Sequence, residues 1–363
     1  MNPPGTPKHE LDTPALCIDL PALQANIARL AEAAKAMGVR VRPHTKTHKC
    51  PVIAHMQLAA GAIGITCAKV GEAEVMAQAG IRDILIANQI VGRQKIDRLM
   101  GLAGYTDVMV AVDSAGNVEE LSAAAQARGV TLRVLVEVDI GMGRCGVEPG
   151  AAALELALHA AEAKGLRVEG VMGYEGHAVT IPDLDERRRQ TETSLKLLTD
   201  TAGMIRGAGI PVNIISAGGT GTYAITGAWP GITELQTGSY ATQDLKYRAE
   251  VGMAEFGYAL TLMTTVVSAR GGDHAIVDAG LKALTTDLGR PAVIDPPGWE
   301  LYRLSEEHGW LRRLDGPPLK VGDRVEIVPS HGCTTINLHE RYHVLHDGGL
   351  VAVWPIAARG KVM

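Results

Sequence analysis

The spacing of hydrophobic positions near the N-terminus predicts an amphipathic helix over residues 21–38. Hydrophobic side chains recur there at intervals of three and four residues: Leu23, Ile27, Leu30, Ala34 and Met37. Such intervals place the side chains on one face of an α-helix. Gly38 follows the last of them, and glycine is typical of the position just beyond a helix end.

Eight short apolar runs then alternate with stretches of helix-forming residues. The runs occupy residues 39–46, 64–69, 83–88, 107–113, 132–139, 168–176, 212–219 and 232–239. Apolar strands that alternate with helices pair in parallel and are covered on both faces. Eight such units predict an α/β fold with a closed (β/α)8 barrel of the TIM type, rather than an open sheet. The final unit leaves little room for a full helix.

The pattern changes near residue 250, which predicts a second domain. Strand-like runs at residues 258–269, 274–280, 323–330 and 349–358 are joined by turns that contain Gly, Pro and Asp. Runs of this kind without intervening helices are typical of a small antiparallel β domain. We therefore predict a barrel domain over residues 20–250 and a C-terminal β domain over residues 251–363, with residues 1–19 packed on the second.

Composition and charge exclude several classes of protein. The 363 residues are 46% hydrophobic and 21% charged, which is ordinary for a globular enzyme and excludes a disordered chain. The net charge is −5 with both signs interspersed, so we expect no nucleic-acid partner. No apolar run predicts a membrane span, and the N-terminus lacks the apolar segment of a secretory signal. Five scattered cysteines without a CxxC pair favour reduced thiols and a cytoplasmic location.

Two motifs suggest functions that their context disfavours. Residues 141–146, GMGRCG, match a dinucleotide-binding pattern, but a Pro- and Gly-containing segment separates them from any helix. We interpret them as a loop that carries Arg144 across the mouth of the barrel. His339 and His343 form an HExxH motif, but residues 336–354 alternate like a β-hairpin. Histidines four apart on a strand are about 13 Å apart, too far to ligate one zinc ion, which disfavours a metalloprotease.

A basic cluster, RPHTKTHK at residues 42–49, follows the first predicted strand. In TIM-type barrels the carboxyl ends of the strands carry the chemistry. The basic or potentially basic neighbours of Lys46 are Arg42, His44, His48 and Lys49. Crowding by positive charge would favour the neutral, nucleophilic form of the lysine. The alternative interpretation is a solvated basic turn.

Loops rich in Gly, Ser and Thr follow the seventh and eighth strands, at residues 215–223 and 237–240. Their backbone N–H groups and hydroxyls suit a phosphate, and these two loops are the habitual phosphate site of the barrel. A lysine that can form a Schiff base, combined with a phosphate site, predicts pyridoxal phosphate as the cofactor.

Seven motifs, in order along nearly the whole chain, resemble those of a known family. They are TPALCIDLPALQANI, RPHTKTHK, EVDIGMGRCGV, ISAGGTGTY, TELQTGSY, PSHGCTTINL and WPIAARGK. The sequence resembles the D-threonine aldolase and D-serine dehydratase group, which are fold-type III pyridoxal phosphate enzymes related to alanine racemase.

The resemblance implies roles for individual residues. Lys46 would hold the cofactor as a Schiff base, and Arg144 would face the pyridine nitrogen. The remaining implied cofactor residues are Tyr174, Thr220, Gly238, Ser239 and Tyr247. With Lys46 and Tyr174, His177 completes the predicted catalytic set.

The family also binds a divalent metal on its β domain, and here PSHGC presents His331 and Cys333. Residues two apart lie on one side of an extended segment. Imidazole with thiolate favours zinc over manganese or magnesium, because soft sulfur prefers the softer ion. The alternative is a packed thiol beside a surface imidazole.

The implied function is a metal-dependent lyase that acts on a small D-β-hydroxy amino acid. RCGV and WPIAARGK are closest to the aldolase branch, so retro-aldol cleavage to glycine and an aldehyde is the principal hypothesis. The His-x-Cys pair favours the alternative, dehydration of D-serine or 3-hydroxy-D-aspartate; a racemase and a non-catalytic cofactor-binding protein are less favoured. Thr180 and Ala68 stand where many members have His and Gln. By analogy with the family we expect a homodimer.

Overall fold

The computed structural model describes residues 3–363, which fall into two compact units. The barrel unit comprises Leu30–Lys46, Ile53–Gly238 and Lys361–Met363. The β unit comprises the described residues up to Arg29 together with Thr47–Val52 and Ser239–Gly360. The division into residues 20–250 and 251–363 stays a prediction.

The predicted N-terminal helix is confirmed. A short 3-10 turn, Lys8–Glu10, precedes strand β1, Ala15–Asp19, and helix α1 spans Leu20–Met37. The carboxylate of Asp19 accepts a hydrogen bond from the backbone of Ala22 at 2.8 Å. A side-chain acceptor at this point satisfies an amide that the first helical turn would otherwise leave without a partner.

The barrel unit contains eight parallel strands, which confirms the predicted (β/α)8 class. The strands are β2 (Arg40–Val41), β3 (Ile65–Cys67), β4 (Asp83–Gln89), β5 (Asp107–Val112), β6 (Leu132–Glu137), β7 (Leu166–Met172), β8 (Ile214–Ala217) and β9 (Glu234–Leu235). Their order is β2-β9-β8-β7-β6-β5-β4-β3. A parallel bridge between His44 and Thr66 joins the two ends of this order and closes the ring.

Helices follow the strands, as the alternating pattern predicts. They are α2 (Pro51–Ala59), α3 (Val70–Gln78), α4 (Arg93–Ala103), α5 (Ala115–Arg128), α6 (Ala151–Glu162), α7 (Leu184–Gly207) and α8 (Tyr223–Ala228). Helix α8 has only six residues, in agreement with the little room that the sequence leaves there. A π-helical turn, Lys246–Glu250, comes after β9.

A buried ion cluster lies within the barrel unit. Arg42, which is 1% exposed, contacts Glu234 on β9 at 3.1 Å and Asp83 on β4 at 2.6 Å. The hydroxyl of Ser216 donates to Glu234 at 2.9 Å. Burial alone would lower the pKa of Arg42, but the two carboxylates raise it above its usual value. The expectation that Arg42 adds net positive charge around Lys46 is therefore wrong, because the negative charges of Asp83 and Glu234 offset that of the guanidinium.

The β unit holds a nine-stranded, mainly antiparallel sheet, as predicted. Besides β1 it contains β10 (Leu260–Arg270), β11 (His274–Val277), β12 (Ala292–Asp295), β13 (Trp299–Leu304), β14 (Gly309–Arg313), β15 (Arg324–Val328), β16 (Arg341–His346) and β17 (Gly349–Pro355). The path β13-β14-β11-β10-β1-β16-β17 is extended by β15, which pairs with β10 and β12. Strand β1 lies antiparallel to β10 and parallel to β16. Residues 1 and 2, predicted to pack on this domain with the rest of 1–19, lie outside the described residues.

One predicted element of the β unit is wrong in part. The hairpin expected over residues 336–354 consists of β16 and β17 only, because helix α9, Gly332–Ile336, and a turn precede β16. His339 lies in that turn and hydrogen-bonds the carbonyl of Ala283 at 2.8 Å. His343 lies on β16, so the two histidines of the HExxH motif do not share an element of secondary structure.

Neither a membrane-spanning helix nor a disulfide occurs within residues 3–363. Within residues 3–363, no helix combines the length and apolar character needed to cross a membrane. None of the five cysteines, all of which the structure describes, forms a disulfide.

We predict that Glu234→Gln lowers the free energy of unfolding by about 3 kcal/mol, because it leaves the buried Arg42 guanidinium with less compensating charge. Urea denaturation followed by circular dichroism measures the change. The control is Glu186→Gln, since this exposed carboxylate pairs with Arg189 at the surface and its loss should change stability little. Equal stability of wild type and Glu234→Gln would contradict the prediction.

Candidate active site

Three predicted cofactor residues meet around one aromatic ring in the barrel unit. The Lys46 Nζ lies 5.8 Å from the centre of the Tyr174 ring, and the Arg144 guanidinium lies 5.7 Å from it. The three residues follow strands β2, β7 and β6, at the carboxyl ends where barrel enzymes carry their chemistry. The structure thus brings a candidate Schiff-base lysine and a fixed positive charge to one place.

A buried carboxylate supports Arg144. Glu137, at the end of β6, lies 4.0 Å from the guanidinium and accepts a hydrogen bond from Gln89 at 2.5 Å. Burial raises the pKa of Glu137, while Gln89 and Arg144 oppose that shift. No sequence motif pointed to Glu137 or Gln89. The available signal was an acidic residue within the apolar run 132–139, four residues before the GMGRCG loop.

The predicted phosphate loop after β8 is held by another buried carboxylate. Glu175, which is fully buried, accepts hydrogen bonds from the backbone of Gly218 at 3.2 Å and from the hydroxyls of Thr222 and Thr226 at 2.7 Å each. Thr220, predicted to contact phosphate, lies within this braced segment and is 2% exposed. No sequence motif pointed to a role for Glu175.

The glycines of this loop are required by its close approach to Tyr174 and its neighbours. A Cβ added at Gly219 would lie 3.2 Å from the Tyr174 hydroxyl, and one at Gly221 would lie 1.8 Å from the carbonyl of Val179. Beside Gly238, the buried hydroxyl of Thr237 has no hydrogen-bond partner among the described residues. The loops are therefore closely packed and offer a spare hydroxyl donor at Thr237, which fits a phosphate group.

In the β unit, one carboxylate connects a predicted cofactor residue with the predicted metal pair. Asp244 accepts hydrogen bonds from the backbone of Tyr247 at 3.1 Å and from that of Gly332 at 3.0 Å. Asp244 is fully buried, and burial raises its pKa. Since Gly332 stands between His331 and Cys333, this contact fixes the backbone that carries both side chains.

The predicted metal pair lies at the start of helix α9. His331 is the N-cap residue and Cys333 is in the first turn, so the extended segment expected from the sequence is wrong. The two residues nevertheless stay two positions apart at one helix terminus. Burial would lower the pKa of His331, but Cys333, Asp287 and Asp244 raise it to about 10.

The surroundings of Cys333 are polar. Its thiol donates a hydrogen bond to the hydroxyl of Thr47 at 3.3 Å and lies 3.8 Å from that of Ser239. Thr47 follows Lys46 in the chain, and Ser239 is one of the predicted phosphate residues. Imidazole nitrogen and thiol sulfur side by side are donors that fit zinc. Within residues 3–363, no group of three or more His, Cys, Asp or Glu is arranged to hold a metal ion.

His177 lies apart from the contacts around Tyr174. It is exposed, its Nε2 is 3.4 Å from the hydroxyl of Ser194 on α7, and a Cβ added at Gly141 would meet its ring at 3.1 Å. These contacts place it against the GMGRCG loop. Its catalytic role stays a prediction.

Two matches to known domain families cover most of the chain. Residues 18–244 match the N-terminal domain of alanine racemase, and residues 259–345 match a putative serine dehydratase domain. A D-threonine aldolase of an Arthrobacter species is 39% identical over 360 residues, which cover 98% of this chain and 95% of that protein. A 3-hydroxy-D-aspartate aldolase of Paracoccus denitrificans is 37% identical over 368 residues, with 99% and 95% covered.

Solved structures agree with these matches. The crystal structure of D-threonine aldolase from Filomicrobium marinum superposes with a TM-score of 0.97 at 40% identity, and all of both chains is covered. D-threo-3-hydroxyaspartate dehydratase from Delftia sp. HT23 gives a TM-score of 0.88 at 31% identity, with 96% of this chain and 98% of that chain covered. The chain belongs to the alanine racemase-like family that contains the D-threonine aldolases and D-serine dehydratases, which confirms the predicted relationship.

We predict that Glu175→Gln weakens binding of the predicted cofactor, pyridoxal phosphate, by about tenfold or more. The Glu175 carboxylate accepts three hydrogen bonds, whereas the glutamine amide has only one acceptor oxygen. A hydrogen bond to a charged group contributes about 1.5–3 kcal/mol, which corresponds to about tenfold or more in affinity. Titration of the cofactor-free protein, followed by visible absorbance, measures the dissociation constant. Glu186→Gln on the surface of α7 is the control, and an unchanged constant for Glu175→Gln would refute the role of this brace.

Proposed function

We propose that the protein is a pyridoxal phosphate- and divalent metal-dependent lyase that cleaves a D-β-hydroxy amino acid into glycine and an aldehyde. The observation that carries the proposal is the grouping of Lys46 and Arg144 around Tyr174 at the carboxyl ends of the barrel strands. The full-length similarity to two aldolases that act on D-β-hydroxy amino acids supports this choice of reaction.

The barrel residues would hold the cofactor and set its chemistry. Pyridoxal phosphate supplies an electron sink for negative charge that develops at the α-carbon of an amino acid. Lys46 would bind it through the side-chain amine, and Arg144 would face the pyridine nitrogen. Because a guanidinium keeps its protons, Arg144 would not transfer one to the ring, and the sink stays weaker than beside a carboxylic acid. The Tyr174 ring lies beside both the Lys46 amine and the Arg144 guanidinium, and it would keep water from that side of the cofactor.

The phosphate would be held by hydroxyls and backbone N–H groups. The residues proposed for it are Thr220, Gly238, Ser239 and Tyr247. Glu175 and Asp244 each accept hydrogen bonds from segments that carry these residues, so neither segment has to reorganise when an anion binds.

His331 and Cys333 would hold the metal ion. A divalent ion supplies Lewis acidity, which makes a substrate hydroxyl a better acid. We propose zinc, because one ligand is a thiol and because zinc binds nitrogen and sulfur sites more tightly than manganese. His177, an exposed imidazole beside the GMGRCG loop, is proposed to carry a proton during turnover.

Dehydration is the second candidate reaction, and the His331–Cys333 pair favours it. The sequence resemblance associates Cys at the second position with dehydratases and Asp with aldolases. A dehydratase that acts on D-threo-3-hydroxyaspartate is also among the similar structures. In that reaction the ion would assist departure of the β-hydroxyl rather than loss of its proton.

Two further proposals concern the setting of the enzyme. A homodimer is expected from the family resemblance alone, and light scattering at micromolar concentration would measure it. The cytoplasm is proposed as the location because none of the five cysteines, all within the described residues, forms a disulfide.

Product analysis tests the reaction. We expect D-threonine and 3-hydroxy-D-aspartate to give glycine and an aldehyde, whereas a dehydratase would release ammonia and a 2-oxo acid from D-serine or 3-hydroxy-D-aspartate. Lys46→Ala should abolish both turnover and the visible absorbance of bound cofactor, because it removes the amine that would hold the cofactor beside Tyr174. Lys69→Ala, at the start of α3, is the control. Borohydride trapping of the cofactor on a lysine other than Lys46 would contradict the site.

Metal removal tests the second half of the proposal. Dialysis against a strong chelator should abolish turnover and spare the cofactor absorbance, because cofactor binding rests on Lys46 and the phosphate loops. Zinc should restore activity at least as well as manganese, and Cys333→Asp should shift the preference toward manganese, since a carboxylate is a harder ligand. Full activity in a protein shown by elemental analysis to be free of metal would refute the site.

A further inference from the structure

Asp287 uses both oxygens of its carboxylate on the segment that carries the proposed metal pair. One oxygen lies 2.5 Å from the Nδ1 of His331, and the other accepts a hydrogen bond from the hydroxyl of Thr334 at 2.8 Å. Asp287 lies in the connection between β11 and β12, so it is distant from His331 in sequence and close in the fold. The sequence analysis did not identify it.

The contact decides which nitrogen of the imidazole can serve as a ligand. A carboxylate at Nδ1 keeps a proton there, which leaves the lone pair of the neutral ring on Nε2. His331 is the N-cap residue of helix α9 and Cys333 lies in the first turn, so the imidazole that Asp287 contacts is two residues from the second proposed ligand. A carboxylate behind a histidine is a common means of orienting a metal-binding imidazole.

Asp287 is fixed in place without being part of the core. Its side chain is 41% exposed, in contrast to 19% for His331. The hydroxyl of Thr285 lies 2.7 Å from that of Thr334, and the backbone of Thr285 donates to the Thr335 hydroxyl at 3.3 Å. These hydrogen bonds tie the loop of Asp287 to helix α9, while the exposure of the carboxylate means that its removal leaves no buried cavity.

We propose that Asp287 is a positioning residue of the metal site, which holds the His331 imidazole so that Nε2 is presented beside Cys333. The inference rests on the proposed function, since it takes His331 and Cys333 as the metal ligands. Loss of the Asp287 carboxylate would free the imidazole ring to rotate and to exchange tautomers. Metal binding would then weaken although both proposed ligands remain.

Zinc affinity tests the inference directly. Purified protein with bound pyridoxal phosphate is titrated with zinc in competition with a chromophoric chelator, for wild type and for Asp287→Ala, Asp287→Asn and His331→Ala. We expect Asp287→Ala to weaken zinc binding about 10- to 100-fold, the range typical for partners of metal-binding histidines. Asp287→Asn should lose less, because its amide oxygen can still accept a hydrogen bond from Nδ1.

Two comparisons separate positioning from a structural role. The melting temperature of the zinc-free protein and the cofactor absorbance should be the same for Asp287→Ala and wild type. Asp273→Ala, an exposed carboxylate of the same unit that lies 3.8 Å from Arg313, is the matched control and should leave zinc affinity unchanged.

The outcomes distinguish this inference from the proposed function. If His331→Ala loses zinc while Asp287→Ala binds it as tightly as wild type, the positioning role is wrong and the metal site stands. If His331→Ala also binds zinc normally, the metal site itself is wrong, and the inference fails with it. Weaker zinc binding in Asp287→Ala at unchanged stability, with Asp273→Ala unaffected, supports the inference.

Discussion

Closure of the barrel by the segment after β2 fixes the position of Lys46, on which the candidate chemistry depends. The backbone of His44 donates to the carbonyl of Thr237 on one side, while that of Thr66 donates to the carbonyl of Pro43 on the other. The segment is thus paired on both sides immediately before the lysine. Beneath it the guanidinium of Arg42 is neutralised within the ring, so the pairing requires no unpaired buried charge. A loop paired on one side only would leave the lysine much less constrained.

Buried carboxylates recur behind the segments that carry candidate site residues. Glu137 supports Arg144, Glu175 supports the loop after β8, and Asp244 supports the backbone at Gly332. Glycine-rich loops have few regular backbone partners, yet their buried N–H groups need acceptors. A carboxylate can accept several hydrogen bonds at once, which makes it an efficient support for such a loop. Each of these acidic residues holds the shape of its own segment, although none of them was predicted to bind cofactor or metal.

Overall similarity and the proposed metal ligands point to different reactions of this protein. The chain is similar over nearly its whole length to a D-threonine aldolase and to a 3-hydroxy-D-aspartate aldolase. The proposed metal pair, however, contains Cys333 at the position where the resemblance associates Asp with aldolases. The higher identity over the whole chain therefore favours the proposed aldolase reaction, whereas Cys333 and the similarity to a dehydratase favour its alternative.

The sequence by itself determined the fold class, the family and most of the candidate site. Hydrophobic periodicity reports the environment of residues that are neighbours in the chain, so helix α1, the eight barrel strands and the antiparallel β unit could be predicted from it. Only the tertiary structure decided which charges meet: Arg42 with Glu234 across 192 positions, and His331 with Asp287 across 44. It also placed Cys333 in a helical turn that the short segment after β15 did not predict. Such contacts depend on which strands are adjacent and in what register, and no local pattern encodes that arrangement.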